Sequence, residues 1–123
     1  MTPQRLLVID DEVEFGKFVG RVGRDLGLEV EVTAGPDRFK ALLLSFKPDV
    51  IVMDMVMPNT EGIELIRWLS HERYPARVIV VTGYNPDYAK MAALMARAEG
   101  VVQVTTLFKP VRLGELRSAL LGQ

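Results

Sequence analysis

Five short runs rich in β-branched residues are the feature of this 123-residue chain that most constrains its fold. A segment of helix length with an amphipathic pattern separates each run from the next, and this alternation is typical of a parallel sheet with crossover helices. The runs span residues 5–10, 28–33, 50–54, 78–82 and 102–108. The third and fourth, VIVMD and VIVVT, are nearly continuous in apolar residues, which predicts central strands covered on both faces.

The segments between the runs carry helix start and stop signals. Residues 36–47 begin with Pro36 at a first helical position and end before a second proline. Asn85 and Pro86 predict the start of a fourth helix that Gly100 ends, and residues 112–121 predict a last one. Five strands, five helices on both faces and right-handed crossovers favour an α/β, flavodoxin-like fold with a parallel sheet of strand order 2-1-3-4-5.

Composition narrows the class of protein. The length predicts one domain over residues 1–123, and the last predicted helix leaves no room for a second. With 15 Lys and Arg against 16 Asp and Glu and no basic run, direct nucleic-acid binding is not expected. The absence of cysteine excludes disulfides, thiolate metal sites and a Cys nucleophile. No signal-peptide pattern and no apolar run of membrane-spanning length is present, so a cytoplasmic protein without membrane contact is expected.

Acidic residues follow two of the predicted strands. Asp10, Asp11 and Glu12 end the first run and Asp54 ends the third. In this fold ligands bind outside the carboxyl ends of the strands, at the switch point between strands one and three. Carboxylates gathered there repel one another unless a cation relieves them, and an oxygen-only set with no His or Cys suits Mg²⁺. The sequence therefore predicts a magnesium site at this edge.

The fourth and fifth predicted strands end in groups that suit a phosphate. Thr82 ends the fourth run and supplies a hydroxyl, while Lys109 follows the fifth and supplies a compact cation. Phosphoryl transfer requires little from a protein beyond a placed nucleophile and neutralisation of charge, and the carboxylate of Asp54 can be that nucleophile. A single Asp at a strand end is more often a turn former or helix cap, but matching groups at four strand ends favour chemistry.

At this point the sequence resembles the receiver domain of bacterial two-component response regulators, in the single-domain form of the chemotaxis regulators. The matching pieces are VIDDE, PDVIVMDMVMPNTEG, VIVVTGY and FKP, and they cover essentially the whole chain. The resemblance implies that Asp54 is the phosphorylation site. It also implies that Asp11 and the backbone carbonyl of Val56 bind Mg²⁺ directly together with Asp54, and that Asp10 binds it through water.

The resemblance assigns three further residues. Lys109 is implied to contact the phosphoryl group, Thr82 to be the switch hydroxyl, and Pro110 to follow a cis peptide bond. In the family an aromatic residue commonly lies three positions before the lysine and changes rotamer with the hydroxyl, but here that position is Thr106. Strand alternation places Phe108 on the same face, nearer the strand end, which leaves open whether it takes that place.

The function implied is that of a signalling phosphoacceptor. A histidine kinase or histidine phosphotransfer protein supplies the phosphoryl group, and an unidentified downstream protein reads the changed surface of a monomer or weak homodimer. Such a domain catalyses only its own phosphorylation and dephosphorylation. The alternatives are a haloacid-dehalogenase-type phosphatase, which needs an acid where Val56 stands, a flavin-binding flavodoxin-like module, which needs a phosphate loop after strand one, and an adaptor that is never phosphorylated.

Glycines recur at helical spacing in the first predicted helix. Gly16, Gly20, Gly23 and Gly27 follow one another at intervals of three or four residues. Each interior glycine costs about 1 kcal/mol relative to alanine, so the stripe needs a reason. We expect close packing against the last helix or a tight loop at Gly27, with access for a partner helix as the alternative.

Overall fold

A parallel five-stranded sheet forms the centre of the protein. The computed structural model describes residues 4–54, 56–57, 60–83, 87, 90, 94, 97–98 and 103–122, with the backbone alone for 56–57 and 60–63. The sheet contains β1 (Arg5–Ile9), β2 (Glu29–Thr33), β3 (Val50–Asp54), β6 (Arg77–Thr82) and β7 (Val104–Phe108), in the order β2-β1-β3-β6-β7. Counted within this sheet, the order is 2-1-3-4-5, and the predicted topology is confirmed.

A small hairpin follows β3. Its strands β4 (Val56–Met57) and β5 (Thr60–Glu61) pair antiparallel and lead directly into the next helix. Because the third central strand ends at Asp54 immediately before this hairpin, the hairpin lies at the edge of the sheet where the site was predicted.

Four helices have defined bounds within the described ranges, where five were predicted. They are α1 (Val13–Asp25), α2 (Pro36–Ser45), α3 (Gly62–His71) and α4 (Leu113–Leu121). The helix expected between residues 85 and 100 lies largely outside the described residues, and so do the Asn85 cap and the Gly100 stop. Those positions of this segment that are described, such as Asp87, Lys90 and Leu94, are helical.

The core consists of two apolar layers, one on each face of the sheet. On one face, the strands pack against α2 and α3 through Phe39, Leu43, Leu65, Ile66 and Leu69. On the other face, they pack against α1 and α4 through Val19, Val22, Leu116 and Leu120. Every residue of β3 is buried, as its unbroken apolar pattern predicted. None of the helices in the described part of the chain is both long and apolar enough to cross a membrane.

The glycine stripe of α1 packs against a strand. A Cβ on Gly16 would lie 2.9 Å from the Val32 side chain, and one on Gly23 would lie 2.7 Å from Leu6 and 3.0 Å from Val30. The expectation that the stripe faces the last helix is therefore wrong, because these glycines bring α1 close to β2 and β1. The loop expected at Gly27 is present, since this residue has a φ of +86° directly after the helix.

Candidate functional site

Four polar residues lie at the carboxyl ends of β1, β3, β6 and β7, four of the five strands of the sheet. Asp54 and Thr82 are the last residues of β3 and β6, while Asp10 and Lys109 come directly after β1 and β7. Since parallel strands point the same way, their ends share one edge of the sheet. Asp10, Asp54 and Thr82 are buried, with 2%, 5% and 1% of their surface exposed. Such burial is unusual for carboxylates and indicates a built site.

Lys109 is the centre of the charged contacts. Its Nζ lies 2.9 Å from Oε1 of Glu12, 3.1 Å from Oδ2 of Asp10 and 3.6 Å from Oδ2 of Asp54. The ammonium also lies 4.5 Å from the centre of the Phe15 ring, a distance at which a cation and an aromatic face attract each other. One cation is thus shared by three carboxylates.

The electrostatics of the cluster shift two pKa values. Burial raises the pKa of Asp10, and this effect outweighs the Glu12 amide and the Lys109 ammonium, which lower it. For Lys109, burial lowers the pKa, but the hydrogen bond to Glu12 and the charges of Asp10 and Asp54 outweigh it, so that the pKa lies above its ordinary value. Lys109 therefore stays cationic throughout the neutral range.

Asp10 has one oxygen that makes no hydrogen bond. Its Oδ1 accepts a hydrogen bond of 2.8 Å from the backbone amide of Glu12. Its Oδ2 is buried without a hydrogen-bond partner, and it forms an ion pair with Lys109 Nζ at 3.1 Å. A buried carboxylate oxygen without a donor is costly unless a cation binds it.

The carboxylates are close enough to share a metal ion. Asp10, Glu12 and Asp54 each offer one oxygen within 4.8 Å of the others. A set of oxygen ligands that includes the hydrogen-bond-free Oδ2 of Asp10 fits Mg²⁺ well. Asp11, predicted as a direct ligand, is exposed and is not part of this group. Only backbone is described for Val56, and its carbonyl stays a predicted ligand.

Two residues that contact Lys109 were not assigned a role from the sequence. Glu12 was recognised as one of the acids after β1 but not as a partner of the lysine. Phe15 lies among the apolar residues of α1, and no sequence signal distinguishes it from a core residue. Glu12 is the N-cap of α1 and Phe15 lies in its first turn, which follows the short loop after β1.

A cleft of about 510 Å³ opens beside the ammonium of Lys109. It is lined by Glu12, Phe15, Phe18, Gly83, Lys109, Pro110 and Val111. The Lys109–Pro110 peptide bond at its floor is cis, as the resemblance implied. At Gly83 an added Cβ would lie 3.3 Å from Cβ of Lys109, so the absence of a side chain there lets the two loops approach closely.

The two candidates for the switch position differ in exposure. Phe108 is the register partner of Thr82 and is 40% exposed, whereas Thr106 pairs with Val80 and is half-buried. The aromatic ring therefore stands beside the end of β6 at the surface. Tyr84, which follows Thr82 by two positions, lies outside the described residues.

Comparisons with known proteins agree with this geometry. The sequence profile described as "Response regulator receiver domain" matches residues 6–121. A protein-glutamate methylesterase/protein-glutamine glutaminase of Myxococcus xanthus is 34% identical over 128 aligned positions, which include 100% of this chain but only 36% of that protein. The chain thus spans about a third of the length of this relative.

Solved structures show the same architecture. A response regulator from Colwellia psychrerythraea superposes with a TM-score of 0.85 at 28% identity, covering 98% of this chain and 96% of that one. A response regulator protein from Burkholderia pseudomallei, solved with a phosphorylated aspartic acid, calcium ion and citrate, gives a TM-score of 0.78 at 27% identity, covering 95% of this chain and 66% of that one. With the match of the profile to nearly the whole chain, the protein belongs to the family of response regulator receiver domains.

Proposed function

We propose that this receiver domain accepts a phosphoryl group on Asp54 with Mg²⁺ bound beside it. The observation that supports the proposal best is the convergence of three carboxylates and one ammonium on the buried end of β3. The donor is a histidine kinase or a histidine phosphotransfer protein, and an unidentified downstream protein reads the phosphorylated surface.

The chemistry follows from the groups present. An oxygen of the Asp54 carboxylate forms a bond to phosphorus while the bond from phosphorus to the histidine nitrogen of the donor breaks, and the nitrogen keeps its electron pair. In this proposal the ammonium of Lys109 offsets the charge of the transferred group, and the hydroxyl of Thr82 binds one of its oxygens. When bound, Mg²⁺ supplies further charge neutralisation.

The proposed metal ligands are those implied by the family resemblance. Asp54, Asp11 and the carbonyl of Val56 bind the ion directly, and Asp10 binds it through water. This assignment requires the exposed Asp11 carboxylate to turn toward Asp54 when the ion binds. The hydrogen-bond-free Oδ2 of Asp10 supports a cation at this place. The Burkholderia relative, which carries a phosphorylated aspartic acid and a calcium ion, supports both parts of the proposal by analogy.

The protein is proposed to act as a switch and not as an enzyme with a free substrate. The methylesterase relative is much longer, and its activity is not transferred to this chain. A phosphatase of the haloacid-dehalogenase type would place an acid two residues after the nucleophile, where this chain has Val56. An adaptor that is never phosphorylated would have no use for the buried set of Asp10, Asp54 and Lys109.

Intact mass after treatment with a small phosphodonor tests the proposal. Acetyl phosphate and Mg²⁺ should add one phosphoryl group per chain, and hydroxylamine should remove it because an acyl phosphate is expected. Asp54→Asn should abolish the gain. Asp25→Asn is the matched control, since Asp25 is exposed at the opposite end of α1. A phosphoryl group that still appears on Asp54→Asn at the wild-type rate would refute the assignment.

A further inference from the structure

Glu12 occupies a helix N-cap but does not cap the helix. Its backbone has the extended conformation of an N-cap residue, with φ −83° and ψ 102°, yet its side chain makes no capping hydrogen bond. N-cap side chains are normally Ser, Thr, Asp or Asn, because these reach the free amides of the first turn. The Glu12 carboxylate instead accepts a hydrogen bond from Lys109, 97 residues away along the chain.

Glu12 holds the ammonium more closely than the acceptor does. Nζ of Lys109 donates a hydrogen bond of 2.9 Å to Oε1 of Glu12, whereas Oδ2 of Asp54 is 3.6 Å away, beyond hydrogen-bond length. The Phe15 ring supports the ammonium from the same turn of α1. Glu12 and Phe15 therefore help Asp10, whose Oδ2 lies 3.1 Å from Nζ, to set where the cation lies when Asp54 carries no phosphoryl group.

A phosphoryl group on Asp54 would meet the Glu12 carboxylate. The nearest carboxylate oxygens of Glu12 and Asp54 lie within 4.8 Å of each other, and phosphorylation adds terminal oxygens that lie two bonds beyond the Asp54 oxygen to which the phosphorus is attached. Two anions at such a distance repel each other, and both need the same ammonium. The side chain of Glu12 is 63% exposed, so it can turn into water, whereas Lys109 is only 15% exposed and Asp54 only 7%.

We propose that Glu12 is a positioning residue that competes with the phosphoryl group on Asp54 for the ammonium of Lys109. This inference rests on the proposed function of Asp54. Glu12 lowers the affinity of the site for a phosphoryl group mainly because it holds Lys109 by a hydrogen bond, and the negative charge that it places beside the acceptor adds a smaller repulsion. Release of Lys109 from Glu12 is then part of the response to phosphorylation.

Binding of beryllium fluoride, a phosphoryl analogue, tests the proposal. Its affinity would be measured by fluorine NMR at a Mg²⁺ concentration shown to saturate each variant. Glu12→Gln should bind the analogue about two- to fivefold more tightly, the gain expected from loss of one partly exposed ion pair. Glu14→Gln is the matched control, because it removes the same charge two residues along, from a side chain that is 92% exposed and paired with Lys17. Its affinity should equal that of the wild type.

A second comparison separates the hydrogen bond from the charge. In a Lys109→Ala background, Glu12→Gln should lose most of its effect, because the competition acts through Lys109. If Lys109→Ala binds the analogue too weakly for a titration, Glu12→Asp replaces this comparison. Aspartate keeps the negative charge, but its shorter side chain reaches Nζ of Lys109 less well. Glu12→Asp should therefore still bind the analogue more tightly than the wild type.

The outcomes are distinguishable. If the wild type shows no Mg²⁺-dependent binding of the analogue, the proposed function of Asp54 is itself wrong. If the wild type binds it and Glu12→Gln binds equally or less tightly, the role of Glu12 is refuted. Equal tightening by Glu12→Gln with and without Lys109, or wild-type affinity in Glu12→Asp, would also refute it, because the effect would then not pass through the lysine.

Discussion

At the scale of single residues, Tyr74 shows how a polar group outside the site is held. Its hydroxyl donates a hydrogen bond of 2.9 Å to the carbonyl of Pro48, which fastens the turn after α3 to the start of β3. Burial raises the pKa of Tyr74 to about 12, and the negative charge of Asp49 adds to the effect. The folded protein therefore binds the phenolic proton of Tyr74 more tightly than the unfolded chain does.

The stability of the protein should fall as the pH rises from about 10 to about 12. The unfolded chain releases the Tyr74 proton near pH 10, whereas the folded protein keeps it until about pH 12. The folded state thus binds more protons in this range, and the free energy of unfolding decreases with pH. Lys109, whose pKa is also raised, contributes in the same direction.

Tyr74→Phe should flatten this decrease and cost about 1 kcal/mol at neutral pH through the lost hydrogen bond. Urea unfolding at pH 7, 10 and 11 measures both effects, and the titration of phenolate absorbance should lose a component near pH 12. A Tyr74→Phe variant with the same alkaline slope as the wild type would show that the hydroxyl is not held as described.

At the scale of secondary-structure elements, the approach of α1 to β2 depends on residues without side chains. Gly16, Gly20 and Gly23 face the strands, with side-chain atoms of Val30, Val32 and Leu6 at 2.7 to 3.2 Å from where a Cβ would be. A larger residue would push the helix away from the sheet. The position of α1 matters to the site because Glu12 and Phe15 lie at its first turn.

Gly23→Ala and Gly114→Ala should therefore shift stability in opposite directions. Gly23→Ala forces a Cβ against Leu6 and Val30, and overpacking of this kind costs about 1–3 kcal/mol, more than the gain in helix propensity. Gly114, in the first turn of α4, has no atom within 4 Å of an added Cβ, so Gly114→Ala should stabilise the protein by about 0.5 kcal/mol.

Denaturant unfolding of the two variants beside the wild type measures the difference. The two positions are matched in chemistry, since both exchange a helical glycine for alanine. If both substitutions raise stability, α1 has room to move and the close packing seen at Gly23 does not limit it.

At the scale of the whole molecule, we expect the site to lower the stability of the fold that carries it. Asp10 and Asp54 are buried at one edge of the sheet beside the exposed Glu12, and the Lys109 ammonium lies within 4 Å of all three carboxylates. Proteins often accept such a cost where a ligand will bind. The apolar layers on both faces of the sheet supply the stability that offsets it.

Mg²⁺ should therefore raise the temperature of unfolding. A ligand at 100 times its Kd stabilises the folded state by about 2.7 kcal/mol. In EDTA, Asp10→Asn should be more stable than the wild type, because burial penalises the charged form of Asp10 and the amide carries no charge. Mg²⁺ should raise the unfolding temperature of Asp10→Asn by less than it raises that of the wild type.

Thermal unfolding in EDTA and in MgCl2, at equal ionic strength, provides the measurement. Asp25→Asn serves as the control for a lost carboxylate far from the site and should respond to Mg²⁺ like the wild type. An Asp10→Asn protein that is less stable than the wild type in EDTA would mean that its carboxylate is compensated better than the contacts indicate.

The sequence by itself determined the sheet and the edge at which the site lies. Apolar runs of strand length separated by amphipathic segments leave few topologies, because right-handed crossovers and burial on both faces restrict the strand order. Asp54 and Thr82 end their strands in the structure as predicted, and Asp10 and Lys109 follow theirs. Residues at the carboxyl ends of parallel strands meet whatever their side chains do, so their proximity could be predicted.

Only the tertiary structure decided which side chains touch within that edge. That Glu12, and not Asp11, lies with Asp10 and Asp54 depends on the path of the loop after β1. That the glycine stripe packs against β2 and β1 likewise depends on the distance between α1 and the sheet in the folded protein. The hydrogen bond from Lys109 to Glu12 joins residues 97 positions apart. Local sequence patterns fix periodicity and strand ends, whereas such contacts depend on rotamers and on distances of a few ångströms that only the packed chain sets.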